Sequence, residues 1–138
     1  MLLKFRLRSE KELYSRLKKK GFDEVVIKET LSFLKEKSFI DDRIFAKAWI
    51  ESRLKRPLGI RRIEAELKAK GIDKEIIDSQ IEAVKQGYSE EDIVSRIAQE
   101  RFRKLKDIEP QKAKRRIFAY LLYRGFSPEI IIDMVNQL

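Results

Sequence analysis

LKKKGFD, at residues 17–23, recurs as LKAKGID at 67–73 and as LLYRGFS at 121–127. The glycines of the three copies lie 50 and 54 residues apart. Apolar residues occur eight positions before and ten positions after each of these glycines: Leu13, Ile63, Ile117, Leu31, Ile81 and Val135. Self-similarity at this period is typical of stacked helical modules, none of which can bury its apolar face alone. We therefore expect the function to lie on an extended surface.

Capping residues mark the helix starts. Ser9 with Glu12, and Ser89 with Asp92, have the spacing of a capping box. Ser127 precedes a proline at a first helical position, where the missing N–H costs nothing. The expected helices therefore begin near residues 10, 90 and 128.

Glycines mark the helix ends. Gly21, Gly71, Gly87 and Gly125 occupy positions where a left-handed residue would close the preceding helix. No segment has the alternation of a strand. The pattern predicts an all-α, elongated tandem array of modules, with helices over 9–20, 23–37, 41–55, 59–70, 73–86, 89–106, 110–124 and 127–138.

The charge of the chain is strongly positive. Its 32 Lys and Arg residues oppose 23 Asp and Glu residues, and the first 56 residues carry +7 of the net +9. Such a balance favours partners with negative potential: nucleic acid, a nucleoprotein assembly or an anionic membrane. No apolar run approaches the roughly 20 residues of a membrane span, cysteine is absent, and from the early Lys4 we expect no signal peptide. We expect a soluble, cytoplasmic protein.

Catalytic chemistry has little support in the composition. Histidine and cysteine are absent, and with them the commonest general base, the thiolate nucleophile and the usual transition-metal ligands. Asp41 and Asp42 form the best carboxylate pair, which we interpret as a helix cap and a first-turn charge. We predict no catalytic residue, no cofactor and no metal site.

Dense cationic clusters are the best candidates for a binding surface. Trp49 could stack on a nucleic-acid base, but its place on an apolar stripe with Phe45 favours core packing. A solvated helix face explains any single cluster about equally well. The strongest cluster spans 53–62, because its arginines can grip phosphate or carboxylate with two hydrogen bonds. The predicted binding residues are Arg16, Lys19, Lys20, Arg53, Lys55, Arg56, Arg61, Arg62, Lys112, Arg115 and Arg116.

Four ordered motifs resemble the signature of the RecX family: RSEKEL at 8–13, FIDDRIFA at 39–46, GIRRIEAELKAKGI at 59–72 and RGFS at 124–127. The resemblance implies a tandem array of three-helix modules that regulates the bacterial recombinase RecA without being an enzyme. Members of that family bind the RecA filament on DNA and lower ATP hydrolysis, strand exchange and the co-protease activity that triggers the SOS response. Some also contact DNA directly.

The family pattern also implies the module boundaries. It groups a connector helix with the two helices that follow, which places the modules at 1–39, 40–87 and 88–138. Relatives usually have a helix before the Arg-Ser-Glu motif, so the first module is expected to be shortened. The implied partners are RecA and the RecA–DNA filament, with weak direct DNA contact and no membrane, and the free chain is expected to be a monomer.

Two other classes of function remain open. Helix pairs joined by a glycine turn also describe a stand-alone helix-turn-helix DNA-binding protein. However, no helix here has a base-reading face rich in Asn, Gln and Arg. A scaffold for an unrelated acidic protein is the third class, and a response of the RecA ATPase would separate it from the first.

Overall fold

The computed structural model of the chain describes residues 7–138, which fold into eight α-helices with no strand in that range. Residues 1–6, the start of the predicted module 1–39, lie outside the described residues. The predicted all-α class is confirmed. In chain order the helices are α1 (Glu10–Lys19), α2 (Glu24–Glu36), α3 (Asp42–Leu54), α4 (Ile60–Ala69), α5 (Lys74–Lys85), α6 (Glu90–Lys104), α7 (Pro110–Tyr123) and α8 (Pro128–Asn136).

Most of the predicted helix starts use the expected caps. Ser9 Oγ accepts the N–H of Glu12 at 3.1 Å, and the Glu12 carboxylate accepts the N–H of Ser9 at 3.0 Å. Ser89 Oγ accepts the N–H of Asp92 at 3.2 Å. Ser127 is the N-cap residue of α8, which begins at Pro128 as predicted, but its hydroxyl donates to the carboxylate of Glu129 and accepts no backbone N–H.

Three helix ends have the predicted left-handed glycine. Gly21, Gly71 and Gly125 have φ of +93°, +79° and +90°. In each case the next N–H bonds back to the carbonyl five residues earlier, which satisfies an acceptor that the helix end leaves open. The same prediction for Gly87 is wrong, because Gly87 does not have a positive φ. Beyond α5, the N–H of Gly87 donates to the carbonyl of Val84 and the N–H of Tyr88 to that of Lys85. Each of these hydrogen bonds spans three residues, as in a 3₁₀ turn, and needs no left-handed residue.

The described chain divides into two compact units. Unit 1 comprises the described residues up to Glu51 together with Ala65–Glu82, and unit 2 comprises Ser52–Glu64 and Ala83–Leu138. The predicted division into modules 1–39, 40–87 and 88–138, like the predicted elongation, stays a prediction.

Each unit has its own apolar core. In unit 1, Leu13, Ile27, Leu31 and Ile40 form a buried cluster. The unit 2 cluster is built from α6, α7 and α8. The six in-register apolar residues of the repeat are all buried, as the periodicity predicts: Leu13, Ile63, Ile117, Leu31, Ile81 and Val135. Within residues 7–138, no helix combines the length and the apolarity that crossing a bilayer would require.

Candidate partner interface

The start of α4 meets the end of α7 inside unit 2. The N–H of Gly59 donates to the carbonyl oxygen of Arg124 at 2.8 Å. A Cβ on Gly59 would overlap the carbonyl group of Gly125, and a Cβ on Gly125 would overlap Arg62. Two backbones can approach this closely only because neither position carries a side chain. We call this contact the 59–125 joint.

Two arginines at the 59–125 joint are held by tyrosine residues. The guanidinium carbon of Arg62 lies 5.2 Å from the ring centroid of Tyr123, and Nη1 donates to the Tyr123 carbonyl oxygen at 3.4 Å. Arg124 donates from Nε to Tyr120 Oη at 3.0 Å and from Nη1 to the carbonyl oxygen of Arg56 at 3.5 Å. These contacts orient the guanidinium groups in advance, so a partner has less side-chain entropy to remove.

A third arginine completes the arrangement around Tyr120. The guanidinium carbon of Arg101 lies 3.4 Å from the ring centroid of Tyr120. Burial alone would raise the pKa of Tyr120, but hydrogen bonding from Arg124 and the charge of Arg101 outweigh it and lower that pKa below its ordinary value. Arg101, Tyr120, Lys104, Glu100 and Pro57 line a cleft of about 290 Å³, in which Lys104 pairs with Glu100. The fixed positive charge of Arg101 and Arg124 beside Tyr120 favours an anionic group.

The predicted 53–62 cluster belongs entirely to unit 2. Lys55, Arg56 and Arg61 are exposed, whereas Arg53 and Arg62 are partly buried. We call the combined set the joint surface: Arg53, Lys55, Arg56, Arg61, Arg62, Arg101 and Arg124.

Two members of the joint surface, Arg101 and Arg124, are not among the predicted binding residues. Arg124 belongs to the recurring phrase, at the end of a helix. The favourable interaction of a cation with the helix dipole is a sufficient explanation for a basic residue there, so Arg124 was not predicted to bind a partner. Arg101 is isolated in sequence from the predicted clusters and reaches the 59–125 joint only through packing of α6 against α7. The matching place of Arg124 and Gly125 in the repeat is the one signal that could have found this site.

The other two predicted clusters lie elsewhere. Arg16 and Lys19 are exposed on the last turn of α1, with exposed Lys20 directly after it, in unit 1. Lys112, Arg115 and Arg116 are exposed near the start of α7 in unit 2. Their role in binding stays a prediction.

Unit 1 contains a joint at the equivalent place in the repeat. Ser9, at the start of α1, donates its hydroxyl to the carbonyl oxygen of Lys70 at 2.7 Å. Lys70 Nζ pairs with Glu12 Oε2 at 3.0 Å and lies 5.1 Å from the ring centroid of Trp49. Trp49 stacks on Phe45 with 5.8 Å between ring centroids, which agrees with the packing role that the sequence favours.

The two predicted carboxylates at 41 and 42 have structural uses. Asp41 Oδ1 accepts the N–H of Arg43 at 2.8 Å, as expected of a cap. Asp42 Oδ1 accepts the N–H of Glu10 at 3.0 Å, which ties α3 to the start of α1. Burial is the main cause that raises the pKa of Asp42, with smaller contributions from the neighbouring carboxylates of Glu10 and Asp73.

Replacing Ser9 by alanine should lower the free energy of unfolding of unit 1 by about 2 kcal/mol. The change removes a helix cap worth about 1 kcal/mol and a buried hydrogen bond worth about 1 kcal/mol. The matched control is Ser89→Ala, which removes only an exposed cap and should cost about 1 kcal/mol. Urea unfolding followed by circular dichroism measures both, and equal losses would mean that the bond from Ser9 to Lys70 contributes nothing.

Replacing Tyr88 by phenylalanine should stabilise unit 2 by about 1 kcal/mol at neutral pH. The Tyr88 hydroxyl is buried with no hydrogen-bond partner among the described residues, and such a group costs about 1 kcal/mol or more. Burial, with a smaller contribution from Glu90, raises the pKa of Tyr88 to about 12, against about 10 in the unfolded chain.

This shift gives the prediction for Tyr88 a pH dependence. The folded state favours the neutral phenol of Tyr88. This preference adds fully to the free energy of unfolding below pH of about 10 and is lost as the pH rises towards about 12. The stability advantage of Tyr88→Phe over the parent should therefore grow across that window. Tyr123→Phe is the control, since Tyr123 is 75% exposed. A variant at position 88 with the parental pH profile would contradict the prediction.

Three family models match the chain in order: the first RecX three-helix domain over residues 1–34, the second over 41–79 and the third over 89–134. A protein named "Regulatory protein RecX" from Mycobacterium sp. (strain JLS) is 38% identical over 140 residues, which covers 98% of this chain and 76% of the relative. The chain belongs to the RecX family.

Other RecX proteins agree with this assignment. The RecX regulatory protein of Clostridium tetani is 32% identical over 133 residues, which covers 95% of this chain and 61% of the relative. The crystal structure of RecX from Lactobacillus salivarius has a TM-score of 0.83 at 23% identity and covers 99% of this chain and 89% of that one. A second RecX crystal structure has a TM-score of 0.82 at 20% identity, over 99% and 67%. At these identities the structural likeness shows the fold.

Proposed function

We propose that this RecX protein binds the RecA filament on DNA and lowers its ATP hydrolysis, strand exchange and co-protease activity. It thereby modulates recombination, DNA repair and the SOS response in the cytoplasm. Support comes from the ordered match of all three RecX domains and from the resemblance of the four sequence motifs. The observation that carries the proposal is this family membership over nearly the whole chain.

The joint surface is the part of unit 2 that we propose contacts the filament. The filament presents DNA phosphates and protein carboxylates, both of which arginine can hold with paired hydrogen bonds. The guanidinium groups of Arg62 and Arg124 are already oriented by Tyr123 and Tyr120, so little ordering remains to be done on binding. The net charge of +9 adds a long-range attraction that speeds encounter with a polyanion.

This mode of action requires no chemistry on the regulator. A chain bound along several RecA subunits makes it harder for the filament to gain or retain subunits, and ATP hydrolysis falls with the amount of active filament. The charged residues of the joint surface then act as binding residues, and neither a cofactor nor a metal enters the mechanism.

A time course of RecA ATP hydrolysis on single-stranded DNA, with substoichiometric additions of this chain, tests the proposal. We expect hydrolysis to fall well before one molecule has been added for each RecA subunit. Heat-denatured chain added at the same concentrations is the control. A rate that stays unchanged up to stoichiometric addition would refute the proposed function and would favour the scaffold for another acidic protein.

A further inference from the structure

The cleft beside Tyr120 in unit 2 combines an apolar wall with positive charge. Ile97, Leu105 and Tyr120 are only partly buried, although each also packs against the core of unit 2. Together with Pro57 they line the volume of about 290 Å³. Small-molecule sites span about 300–1,000 Å³, so a cleft of this size suits a single large side chain. We call this space the Tyr120 cleft.

The two arginines beside Tyr120 have no carboxylate partner within the part of the chain that the structure describes. The guanidinium group of Arg101 contacts the Tyr120 ring, and that of Arg124 contacts the Tyr120 hydroxyl and a main-chain carbonyl oxygen. The two guanidinium carbons lie 3.4 Å and 5.2 Å from the same ring centroid, so like charges are held close together. Lys104, at the edge of the cleft, differs because it pairs with Glu100 at 3.6 Å. An anion bound beside Tyr120 would offset the repulsion between the two arginines.

The equivalent place in unit 1 contains a larger side chain and a carboxylate. Counted from the caps of α3 and α6, Trp49 is equivalent to Ile97. Counted back from the left-handed glycines, Glu66 is equivalent to Tyr120. Trp49 Nε1 donates to Glu66 Oε1 at 3.1 Å. Unit 1 therefore pairs an indole with a carboxylate where unit 2 has a shorter side chain and a phenol.

The cation at this place also has different partners in the two units. Lys70, which is equivalent to Arg124, lies 5.1 Å from the ring centroid of Trp49 and pairs with the Glu12 carboxylate at 3.0 Å. Arg124 has no such carboxylate among the described residues. Unit 2 thus lacks the indole and the carboxylates that unit 1 provides, and has a cleft in their place.

From this comparison we infer that the Tyr120 cleft binds an acidic segment of a partner protein in which an aromatic side chain is next to Asp or Glu. The aromatic side chain packs against Ile97 and Leu105, and the carboxylate forms charge-assisted hydrogen bonds with Arg101 and Arg124. A nucleic-acid base is the poorer guest, because Arg101 already covers one face of the Tyr120 ring.

The inference rests on the proposed function for the identity of the partner, the RecA filament. It names protein carboxylates, instead of DNA phosphates, as the groups that this part of the joint surface holds. The chemistry of the Tyr120 cleft is tested without RecA.

The probe for the test is the synthetic peptide GSDWDSG with a fluorescent label, in which one tryptophan lies between two aspartates. Fluorescence anisotropy with the full chain should detect saturable binding. Arg101→Gln should weaken it about tenfold, because a hydrogen bond between charged groups is lost. Ile97→Trp should weaken it at least as much, since the new indole would fill the cleft. It also serves as a second variant if Arg101→Gln is poorly folded.

The controls separate the cleft from general charge. Arg103→Gln removes the same charge from an exposed position of α6 that does not line the cleft, and it should leave the affinity unchanged. The peptide GSNWNSG, whose amides replace the carboxylates, should bind more weakly than the parent peptide. Absent binding, equal binding of the neutral peptide, or parental affinity in both Arg101→Gln and Ile97→Trp would overturn the inference. A short single-stranded oligothymidine that displaces the labelled peptide at lower concentration than unlabelled GSDWDSG would also overturn it, in favour of nucleic acid.

The RecA ATPase time course, run on the same preparations, keeps the two proposals apart. Peptide binding by a chain that leaves hydrolysis unchanged would refute the proposed function and support the inferred chemistry of the cleft. Inhibition of hydrolysis by a chain that does not bind the peptide would support the proposed function and overturn the inference.

Discussion

Replacing Gly59 by alanine is expected to lower the free energy of unfolding of unit 2 by about 3 kcal/mol. The new Cβ would overlap the carbonyl group of Gly125. Unlike a side chain, this backbone group has no other rotamer that would relieve the overlap. Overpacking of this kind costs about 1–3 kcal/mol, and displacing α4 would lengthen the buried bond from Gly59 to Arg124, worth about 1 kcal/mol. The effect arises from a contact between residues far apart in sequence.

Gly87→Ala is the matched control for this substitution. Gly87 lacks a positive φ, and a Cβ there would meet nothing within 4 Å. The control should be neutral or slightly stabilising, because alanine reduces the freedom of the unfolded chain. Hydrogen exchange of the amides of Ile117 and Leu121 reports the stability of unit 2 directly. Protection in Gly59→Ala equal to that in Gly87→Ala would contradict the close approach at the 59–125 joint.

Replacing Lys55, Arg56 and Arg61 together by alanine should weaken binding to the RecA filament about 100-fold. These three members of the joint surface are exposed, so their removal leaves the core of unit 2 unchanged. Each lost ionic contact is taken as about 1 kcal/mol, and about 3 kcal/mol corresponds to about two powers of ten in affinity. Arg62 and Arg124 are left in place because they also hold the 59–125 joint together.

A variant with the same change in net charge separates location from total charge. Lys28, Lys68 and Lys74 are exposed and lie outside the predicted clusters. Their replacement by alanine should cost only the long-range part of the attraction, which added salt suppresses. Filament affinity is measured by anisotropy of the labelled chain, with circular dichroism to verify folding. Equal losses in the two triple variants would mean that the joint surface has no special role.

Local features of the fold were predictable from sequence. The caps at Ser9 and Ser89 and the glycine turns at Gly21, Gly71 and Gly125 depend on neighbours within a few residues, and the structure has them as predicted. The buried positions follow from the helical period, which is also local. Ser38 is an exception: it has φ of +59° at the end of α2, where no glycine marks the turn.

Long-range features of the site were not predictable in the same way. No neighbour of Gly59 in the sequence requires glycine at that position. Glycine is needed there because the backbone of Gly125, which follows α7, lies too close for a Cβ. Arg101 joins the joint surface because α6 packs on α7, and the N–H of Ser127, at the start of α8, is held by Glu90 of α6. Each of these depends on which helices pair, and helix pairing is decided by tertiary packing rather than by any one segment.

Comparing the affinity of this chain for RecA-coated and for bare single-stranded DNA, in moderate salt, tests whether the RecA filament is its target. We predict that the labelled chain sediments with RecA filaments and remains in solution with bare DNA at the same concentration. Binding of the chain to bare DNA should weaken steeply with added salt. The logarithm of its binding constant should fall by about 0.9 per tenfold increase in salt for each phosphate neutralised on duplex DNA, and by less on single strands. Equal or stronger binding to bare DNA would contradict the proposed function and would favour a stand-alone DNA-binding protein.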